Sequence, residues 1–249
     1  MRTVLITGAA RNIGANLAQR FAAAGYQVVV NATRPGEIEK VARAINDDGG
    51  SAMAVSCDIR DQSQVWRMVE QVESKFGGVD VLVNNAMVRK QGPFTEITIE
   101  DWQEVLNVVL TGSFNCTRAV LPHMRRSRWG RVICMGGVAG ERGAVDRAAV
   151  VTAKSGLFGF AKAVALETAE QGITANVVSP GIIDTDRGDL KRIGDEALVR
   201  SHYQAEIASI PVGRPGRLDE ISAMCLFLAS DDAAFITGQV IGVNGGRHM

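Results

Sequence analysis

Short apolar runs alternate with longer amphipathic stretches along almost the whole chain. Seven runs rich in β-branched residues have the length of buried strands: residues 3–6, 27–31, 52–56, 79–83, 130–135, 174–179 and 239–243. Near-continuous apolar strands separated by helix-length segments are typical of a parallel sheet that helices cover on both faces. The pattern therefore predicts an α/β fold, a doubly wound parallel sheet whose ligands bind at the carboxyl ends of the strands.

The pattern is least regular at about residues 184–210, after the sixth predicted strand. Charged residues, Gly188 and Gly194 interrupt it there. A long irregular insertion at the carboxyl edge of a sheet usually acts as a lid over a bound ligand. The rest of the chain shows no repeat or linker, so we expect residues 1–249 to form a single domain with a substrate lid at about 184–210.

Charge and cysteine content argue against nucleic-acid binding, membrane binding and a metal site. The 27 Lys and Arg residues balance the 27 Asp and Glu residues, so no net charge attracts nucleic acid or an anionic membrane. No apolar run approaches the ~18 residues of a membrane span, and the first strand begins too early to leave room for a signal peptide. The four cysteines show no CxxC spacing, so we predict no metal site. We expect a cytoplasmic protein.

Basic residues are concentrated locally at residues 123–131, which read HMRRSRWGR. Cations near the end of a helix complement its dipole, and this favours a solvated helix terminus. The alternative is a binding patch for an acidic substrate tail.

The first predicted strand ends in a glycine-containing turn, TGAARNIG at residues 7–14, which leads into the helical run 15–24. Glycines at such a turn let the backbone approach a pyrophosphate, which binds the free N–H groups at the helix N-terminus. The position of the turn in the first β-α unit predicts a Rossmann-type dinucleotide site. We expect cofactor contacts from Gly8, Arg11, Asn12, Ile13 and Gly14.

The end of the second predicted strand distinguishes between the two nicotinamide cofactors. A carboxylate there would bind the adenosine ribose and repel a 2′-phosphate, but this chain has no acid before Glu37. Arg11 lies in the glycine turn and Arg34 lies just past the strand, and two guanidinium groups suit a phosphate. NADP(H) is therefore favoured over NAD(H). The alternative is that both arginines are merely exposed.

Several motifs resemble those of the short-chain dehydrogenase/reductase family. The turn is similar to the family's TGxxxGxG pattern, with Asn12 in place of the middle glycine. Asparagine tolerates left-handed backbone and is a good helix N-cap. Further similar segments are CDI at 57–59, NNA at 84–86, PGIIDT at 180–185, GRP at 213–215 and ITGQ at 236–239, so the resemblance covers essentially the whole chain. It implies cofactor contacts from Asp58, Ile59, Asn84, Ala86, Pro180, Gly181, Ile183 and Thr185.

The resemblance also implies a catalytic tetrad of Asn, Ser, Tyr and Lys, and here the chain departs from the family. The first three positions hold Val109, Gly137 and Val150, and only Lys154 remains. Asn107 is near the first position, but two residues turn a side chain by about 200° on a helix. Valine has no proton to transfer. Each missing role should lower the rate roughly 10²–10⁴-fold.

Several explanations are open. The substrate need not require a protein acid, as with an imine, an enone or a compound that carries its own acid. His202 or Tyr203, in the predicted lid, can supply the proton instead. Lys154 can act itself, because an ammonium beside valines loses solvation and its pKa falls. The resemblance implies for Lys154 only that it holds the nicotinamide ribose.

The cofactor elements are kept while the tetrad is altered, which favours an active enzyme. We expect an NADP(H)-dependent oxidoreductase that acts on a small organic substrate by non-standard proton handling. A non-catalytic, cofactor-binding scaffold or regulator and a non-redox lyase or isomerase are the alternatives. The stretches 101–124 and 148–169 are apolar on more than one face. The resemblance implies that they pair across a subunit interface, in a homodimer or homotetramer.

Overall fold

The computed structural model of the chain describes residues 1–185 and 204–249. Its strands form one seven-stranded sheet in the order β3-β2-β1-β4-β5-β6-β7, and all pairs are parallel. The strands are β1 Thr3–Ile6, β2 Gln27–Ala32, β3 Ser51–Ser56, β4 Val81–Asn84, β5 Gly130–Met135, β6 Ile173–Pro180 and β7 Val240–Val243. Each overlaps a predicted apolar run, which confirms the predicted doubly wound α/β fold.

Helices lie on both faces of the sheet, as predicted. They are α1 Asn12–Ala23, α2 Pro35–Asp47, α3 Gln62–Phe76, α4 Ile99–Leu106, α5 Gly112–Ser127, α6 Val138–Arg142, α7 Ala148–Thr168 and α8 Leu218–Leu228, with a further helical segment at 204–208. One apolar cluster packs α3, α4, α5 and α7 against the sheet, and a second packs α1, α2 and α8 against the opposite face. The two clusters make a single three-layered core.

The stretch 101–124 is not one regular α-helix. A π-helical turn, Asn107–Thr111, separates α4 from α5. π-Helical turns are rare and frequently mark functional sites, and this one carries Val109. The turn is invisible in the sequence because one inserted residue barely changes the helical period.

The strand register brings the chemistry-bearing loops to one edge of the sheet. Ile6 pairs with Val83, and Asn84 pairs with Cys134. Met135 pairs with Val178 in the same way. The residues that follow β1, β4, β5 and β6 therefore emerge side by side. Most of the predicted lid, residues 186–203, lies outside the described residues together with His202 and Tyr203.

The basic segment 123–131 is occupied by contacts within the chain. His123 lies 3.2 Å from Asp80, Arg125 binds Glu167 at 2.8 Å, Arg126 binds Glu73 at 3.0 Å, and Arg128 donates to the Glu170 carbonyl at 2.7 Å. Arg131 is buried and donates to backbone carbonyls. These contacts favour the helix terminus over a patch for an acidic ligand.

One helical stretch, Ala148–Gln171, is long and apolar enough to pass a composition test for a membrane span. Its buried side is part of the core, because Ala153, Leu157 and Ala161 pack in the cluster under α7. A core helix of this kind passes the same test without crossing a membrane.

Candidate active site

The glycine turn between β1 and α1 depends on two left-handed residues. Gly8 has φ +63°, and a Cβ placed on it would lie 2.8 Å from the Ala86 Cα. Asn12 has φ +50°. It therefore adopts the left-handed backbone that asparagine tolerates. Asn12 is the first residue of α1 and not its N-cap, which is Arg11. This corrects the suggested capping role.

In the described structure, the N-cap residue of α1 does not cap the N-terminus of the helix with its side chain. The Arg11 side chain makes no capping hydrogen bond, and the first turn, which contains Ile13 and Gly14, has no acidic residue. Uncapped N–H groups and the positive end of the helix dipole suit an anion such as a pyrophosphate. The turn therefore fits the phosphates of a dinucleotide.

The loop after β4 is tied to this turn by hydrogen bonds. The Thr7 Oγ1 accepts from the backbone N–H groups of Asn85 and Ala86, at 3.0 Å each. The Asn85 amide donates to the carbonyls of Thr7 and Gly8 at 2.9 and 3.1 Å. Thr7 and Asn85 thus position the turn, and neither was among the predicted site residues. The Thr-Gly pair and the double asparagine were the available signals.

Asn84 sits at the carboxyl end of β4 and is almost fully buried. Its Nδ2 donates to the Thr117 Oγ1 at 3.2 Å. Its Oδ1 has no hydrogen-bond donor within residues 1–185 and 204–249. A buried acceptor without a donor is unfavourable by about 1–3 kcal/mol, so a donor from a ligand or water would stabilise it.

The predicted adenosine end of the site lies at the ends of β2 and β3. Arg34 is exposed and forms an ion pair with Glu37 at 3.0 Å. Arg11 is also exposed. The Asp58 carboxylate binds Arg60 at 2.6 Å, and this contact lowers the pKa of Asp58. Both predicted arginines are therefore at the surface, and a phosphate would compete with Glu37 for Arg34.

Ile59, next to Asp58, is buried against α5. A Cβ on Gly112 would lie 2.5 Å from the Ile59 Cδ1, and the Asn115 amide donates to the Ile59 carbonyl at 2.9 Å. These contacts fix the loop after β3 against the helix layer. Ile59 thus has a packing role beside the predicted adenine contact.

The segment after β6 is held by the C-terminal tail. The Gly181 N–H donates to the Val243 carbonyl at 3.1 Å, and Pro180 pairs with Val243 in the sheet. Ile183 is buried and lines a cavity of about 340 Å³ with residues of the tail. Thr185 is half-buried.

The expected positions of the missing tetrad members are apolar. Val109 and Val150 are buried in the same cluster, under α4 and α7. Asn107 is exposed, and it accepts a hydrogen bond from Thr111 at 3.3 Å. The asparagine therefore does not replace Val109, in agreement with the helical geometry expected from its spacing.

Lys154 lies one turn after Val150 on α7 and reaches the turn that follows β5. Its ammonium donates a hydrogen bond to the Gly136 carbonyl. A Cβ placed on Gly137 would lie 2.8 Å from the Lys154 Nζ. Gly137 also has φ +151°, which only glycine adopts readily. The amine of Lys154 thus fills the space that a side chain at position 137 would need.

The surroundings of the Lys154 amine favour its neutral form. Burial lowers the pKa of Lys154 to about 8, and the positive charge of Arg89 lowers it further. In the described part of the chain, no carboxylate forms an ion pair with Lys154. The direction agrees with the expectation from the neighbouring valines.

Glu141 is a polar residue of this region that sequence reasoning missed. It lies on α6, one turn after Gly137, and accepts a hydrogen bond from the buried Ser179 hydroxyl. His248, in the C-terminal tail, lies 3.7 Å from the other carboxylate oxygen. The three residues come from distant parts of the chain, so no sequence spacing signals them.

Comparison with known proteins finds relatives over the full length. A family model described as enoyl-(acyl carrier protein) reductase matches residues 8–248. The chain is 37% identical over 249 residues to the 3-oxoacyl-(acyl-carrier-protein) reductase FabG of Escherichia coli (strain K12), covering 100% of this chain and 98% of the relative. The identity to the corresponding reductase of Staphylococcus aureus (strain Mu50 / ATCC 700699) is also 37%, with the same coverage.

Proposed function

The chain belongs to the short-chain dehydrogenase/reductase family, and on that premise we propose that it is an NADP(H)-dependent oxidoreductase. Its substrate is a small organic compound, an imine, an enone or an unusual carbonyl, and its proton handling does not use the tyrosine of the family's tetrad, whose position holds Val150. The observation that carries the proposal is that the glycine turn before α1 and Lys154 lie at the same end of the parallel strands, one after β1 and the other at the turn after β5. The relatives are named as reductases, which supports the oxidoreductase class.

The residues around the β1-α1 turn would hold the cofactor. The first turn of α1 binds the pyrophosphate, Arg11 and Arg34 bind the 2′-phosphate, and the Pro180–Gly181 segment lies at the nicotinamide end. When bound, the reduced nicotinamide supplies a hydride to the substrate. The protein then needs to supply at most one proton, and an imine or enone can take that proton from water.

Lys154 is the group we assign to the proton when the substrate needs one. Its ammonium carries a proton at neutral pH, and the lowered pKa makes it a better acid than an ordinary lysine. Val109 and Val150 exclude water from the adjoining side. His202 and Tyr203 remain candidates from the lid.

Cofactor preference is tested by titrating the protein with NADPH and with NADH. We expect NADPH to bind at least about tenfold more tightly, because Arg11 and Arg34 would bind its additional phosphate. Arg34→Ala should remove much of this preference, whereas Arg43→Ala, an exposed arginine on α2 with its own acidic partner, should leave it unchanged. Tighter binding of NADH would refute the assignment.

Activity is tested by following nicotinamide absorbance with a panel of imines, enones and ketones. We expect oxidation of NADPH with at least one class. Binding of NADPH without turnover of any compound would instead indicate a scaffold or regulator. Product formed without a change in nicotinamide absorbance would indicate a lyase or isomerase. His202→Ala and Tyr203→Phe then show whether either lid residue contributes.

We further propose that the protein is a cytoplasmic homodimer or homotetramer. Leu166 on α7 and Phe114 on α5 are exposed large apolar residues, at 87% and 49% of their surface. A second copy would cover such a surface. Sedimentation of the wild-type chain should show a dimer or tetramer, and Leu166→Glu should shift it towards monomer; a monomeric wild-type chain would contradict the proposal.

A further inference from the structure

We propose that Glu141 is a positioning residue, which sets the place of the nicotinamide half of the cofactor by holding the Pro180–Gly181 segment against α6. The inference deepens the proposed function and rests on its assignment of this segment to the nicotinamide. Glu141 acts through the buried Ser179 hydroxyl, which donates a hydrogen bond to its carboxylate. It is assigned no contact with the cofactor itself.

The helix that carries Glu141 is fixed next to Lys154. The Ser155 hydroxyl, on α7, donates to the Gly140 carbonyl at 2.6 Å. A Cβ placed on Gly140 would lie 2.9 Å from the Lys154 Cβ, so α6 and α7 are in close contact at this point. Glu141 is the next residue in the chain. Its backbone is therefore held close to the lysine of the candidate site.

The Glu141 carboxylate reaches from α6 to the carboxyl end of β6. Its Oε1 accepts a hydrogen bond from Ser179, the residue before Pro180, and the Ser179 side chain is fully buried. A hydrogen bond from a hydroxyl to a carboxylate is stronger than one between neutral groups. A buried hydroxyl that loses its acceptor is unfavourable. The contact therefore fixes the end of β6 to α6, one residue before the segment assigned to the nicotinamide.

The C-terminal tail contacts both this segment and Glu141. The Gly181 N–H donates to the Val243 carbonyl at 3.1 Å. A Cβ on Gly181 would lie 2.8 Å from the Asn244 Cα, and the Asn244 amide donates to the His248 carbonyl at 3.0 Å. The His248 Nε2 lies 3.7 Å from the second Glu141 carboxylate oxygen. These contacts form a closed ring that includes the segment, and Glu141 joins the two ends of the ring.

The contact ring lies at one end of the proposed cofactor site only. The Pro180–Gly181 segment is assigned to the nicotinamide and Lys154 to the proton, and hydride transfer needs both in a fixed geometry. The adenosine half is assigned to Arg11 and Arg34, at the ends of other strands. None of the ring residues named above belongs to β1, β2 or β3. Opening the ring at Glu141 should therefore disturb the nicotinamide half and leave the adenosine half in place.

The test compares, by calorimetric titration, the binding of NADPH with that of adenosine 2′,5′-bisphosphate, which carries only the adenosine half. Glu141→Ala should weaken NADPH binding at least about tenfold and change bisphosphate binding by less than about twofold. Glu73→Ala, which removes a glutamate paired with Arg126, should change neither. A general structural defect would weaken both ligands. Equal losses for the two ligands, or no loss for NADPH, would overturn the inference.

Further variants test the hydrogen bond itself. Glu141→Gln keeps an oxygen that accepts from Ser179, so its NADPH affinity should stay within about threefold of the wild-type value. Ser179→Ala removes the donor and should weaken NADPH binding selectively, as Glu141→Ala does. The double variant should bind NADPH no more weakly than Glu141→Ala, because both changes remove the same contact. A Glu141→Gln loss as large as that of Glu141→Ala, or additive losses in the double variant, would overturn the inference.

The wild-type chain separates this inference from the proposed function. Binding of neither ligand would refute the proposed cofactor site, and the inference with it. Binding of both ligands without a selective loss in the variants would overturn the inference alone. A selective loss of NADPH binding in Glu141→Ala and Ser179→Ala, with rescue in Glu141→Gln, is the result that supports it.

Discussion

Two cations, Arg131 and Lys154, lie at opposite ends of the parallel strands and have different surroundings. Arg131, near the start of β5, donates to the carbonyls of Gly130, Gly172 and Ser230 and lies 4.2 Å above the Trp129 ring. Lys154, at the carboxyl edge, donates to one carbonyl in the described structure. The first cation is surrounded by acceptors, and the second is not.

The difference shows how burial can serve structure or chemistry. Burial lowers the pKa of both groups. Asp231, 3.8 Å from Arg131, opposes that effect, whereas Arg89 reinforces it at Lys154. The ordinary pKa of a guanidinium is so high that Arg131 stays charged even when burial lowers it. The same effect brings the pKa of the Lys154 ammonium close to neutral pH, where the group can exchange a proton.

The largest expected effect is on turnover. With a carbonyl substrate that needs a proton from the protein, Lys154→Met should lower NADPH-dependent turnover at least about 100-fold, because the proposed proton donor is lost. Lys162→Met, at the exposed lysine on the same helix, should leave the rate unchanged. Steady-state kinetics with the best ketone of the panel is the measurement. A Lys154→Met rate within a few-fold of the wild-type rate would show that Lys154 is not the proton donor.

Arg131→Met should destabilise the fold by about 3 kcal/mol, because one buried carbonyl and two partly buried carbonyls lose their donor. The melting temperature should fall by roughly 10 °C. Arg126→Met, whose arginine is exposed and paired with Glu73, should change it little. Equal melting temperatures for both variants would show that Arg131 is not structural.

The pH dependence of stability should separate the two cations further. The unfolded chain holds the Lys154 proton up to about pH 10.5, and the folded chain releases it near pH 8. The unfolded state therefore binds more protons between these values, and Lys154 makes stability rise with pH across that window. The rise is about 2–3 kcal/mol. Urea unfolding of wild type and Lys154→Met at pH 7.5 and 10 should show it as a difference: the wild type gains about 2–3 kcal/mol relative to the variant, whereas the buried cysteines affect both proteins equally. An equal change in both proteins would contradict it.

The smallest effect concerns the glycine beneath the amine. Gly137→Ala should cost about 1–3 kcal/mol, because φ +151° is strained for alanine and its Cβ would meet the Lys154 Nζ. Gly143 has φ +82°, and no heavy atom lies within 4 Å of a Cβ placed on it. Gly143→Ala therefore measures the cost of backbone strain without a steric contact. Combining Gly137→Ala with Lys154→Ala should recover about 1 kcal/mol in denaturant unfolding. Strict additivity would show that the two residues do not interact.

Much of the fold could be predicted because its signals are local. The buried strands are predicted by runs of adjacent β-branched residues, and the turn is predicted by Gly8 and its neighbours. Asn12 adopts the left-handed backbone that asparagine tolerates. The π-helical turn could not be predicted, since it changes the helical period by too little. Glu141, Ser179 and His248 meet only through tertiary packing.

The candidate site was predictable in part. The loss of tyrosine is visible at Val150, and a fall in the pKa of Lys154 follows from its apolar neighbours. The position of the amine above Gly137 depends on how closely α7 approaches the turn after β5. That distance is set by the whole helix layer and by no short motif.

The close approach of the Lys154 amine to Gly137 makes the order of substitutions matter. A serine introduced at position 137 first would be strained at φ +151° and would require the end of the Lys154 side chain to move, so this single step is expected to be unfavourable. A tyrosine introduced at position 150 first must open the apolar cluster but does not meet the same obstacle. The two orders of substitution therefore begin with different costs, which are backbone strain at position 137 in one order and repacking of the apolar cluster in the other.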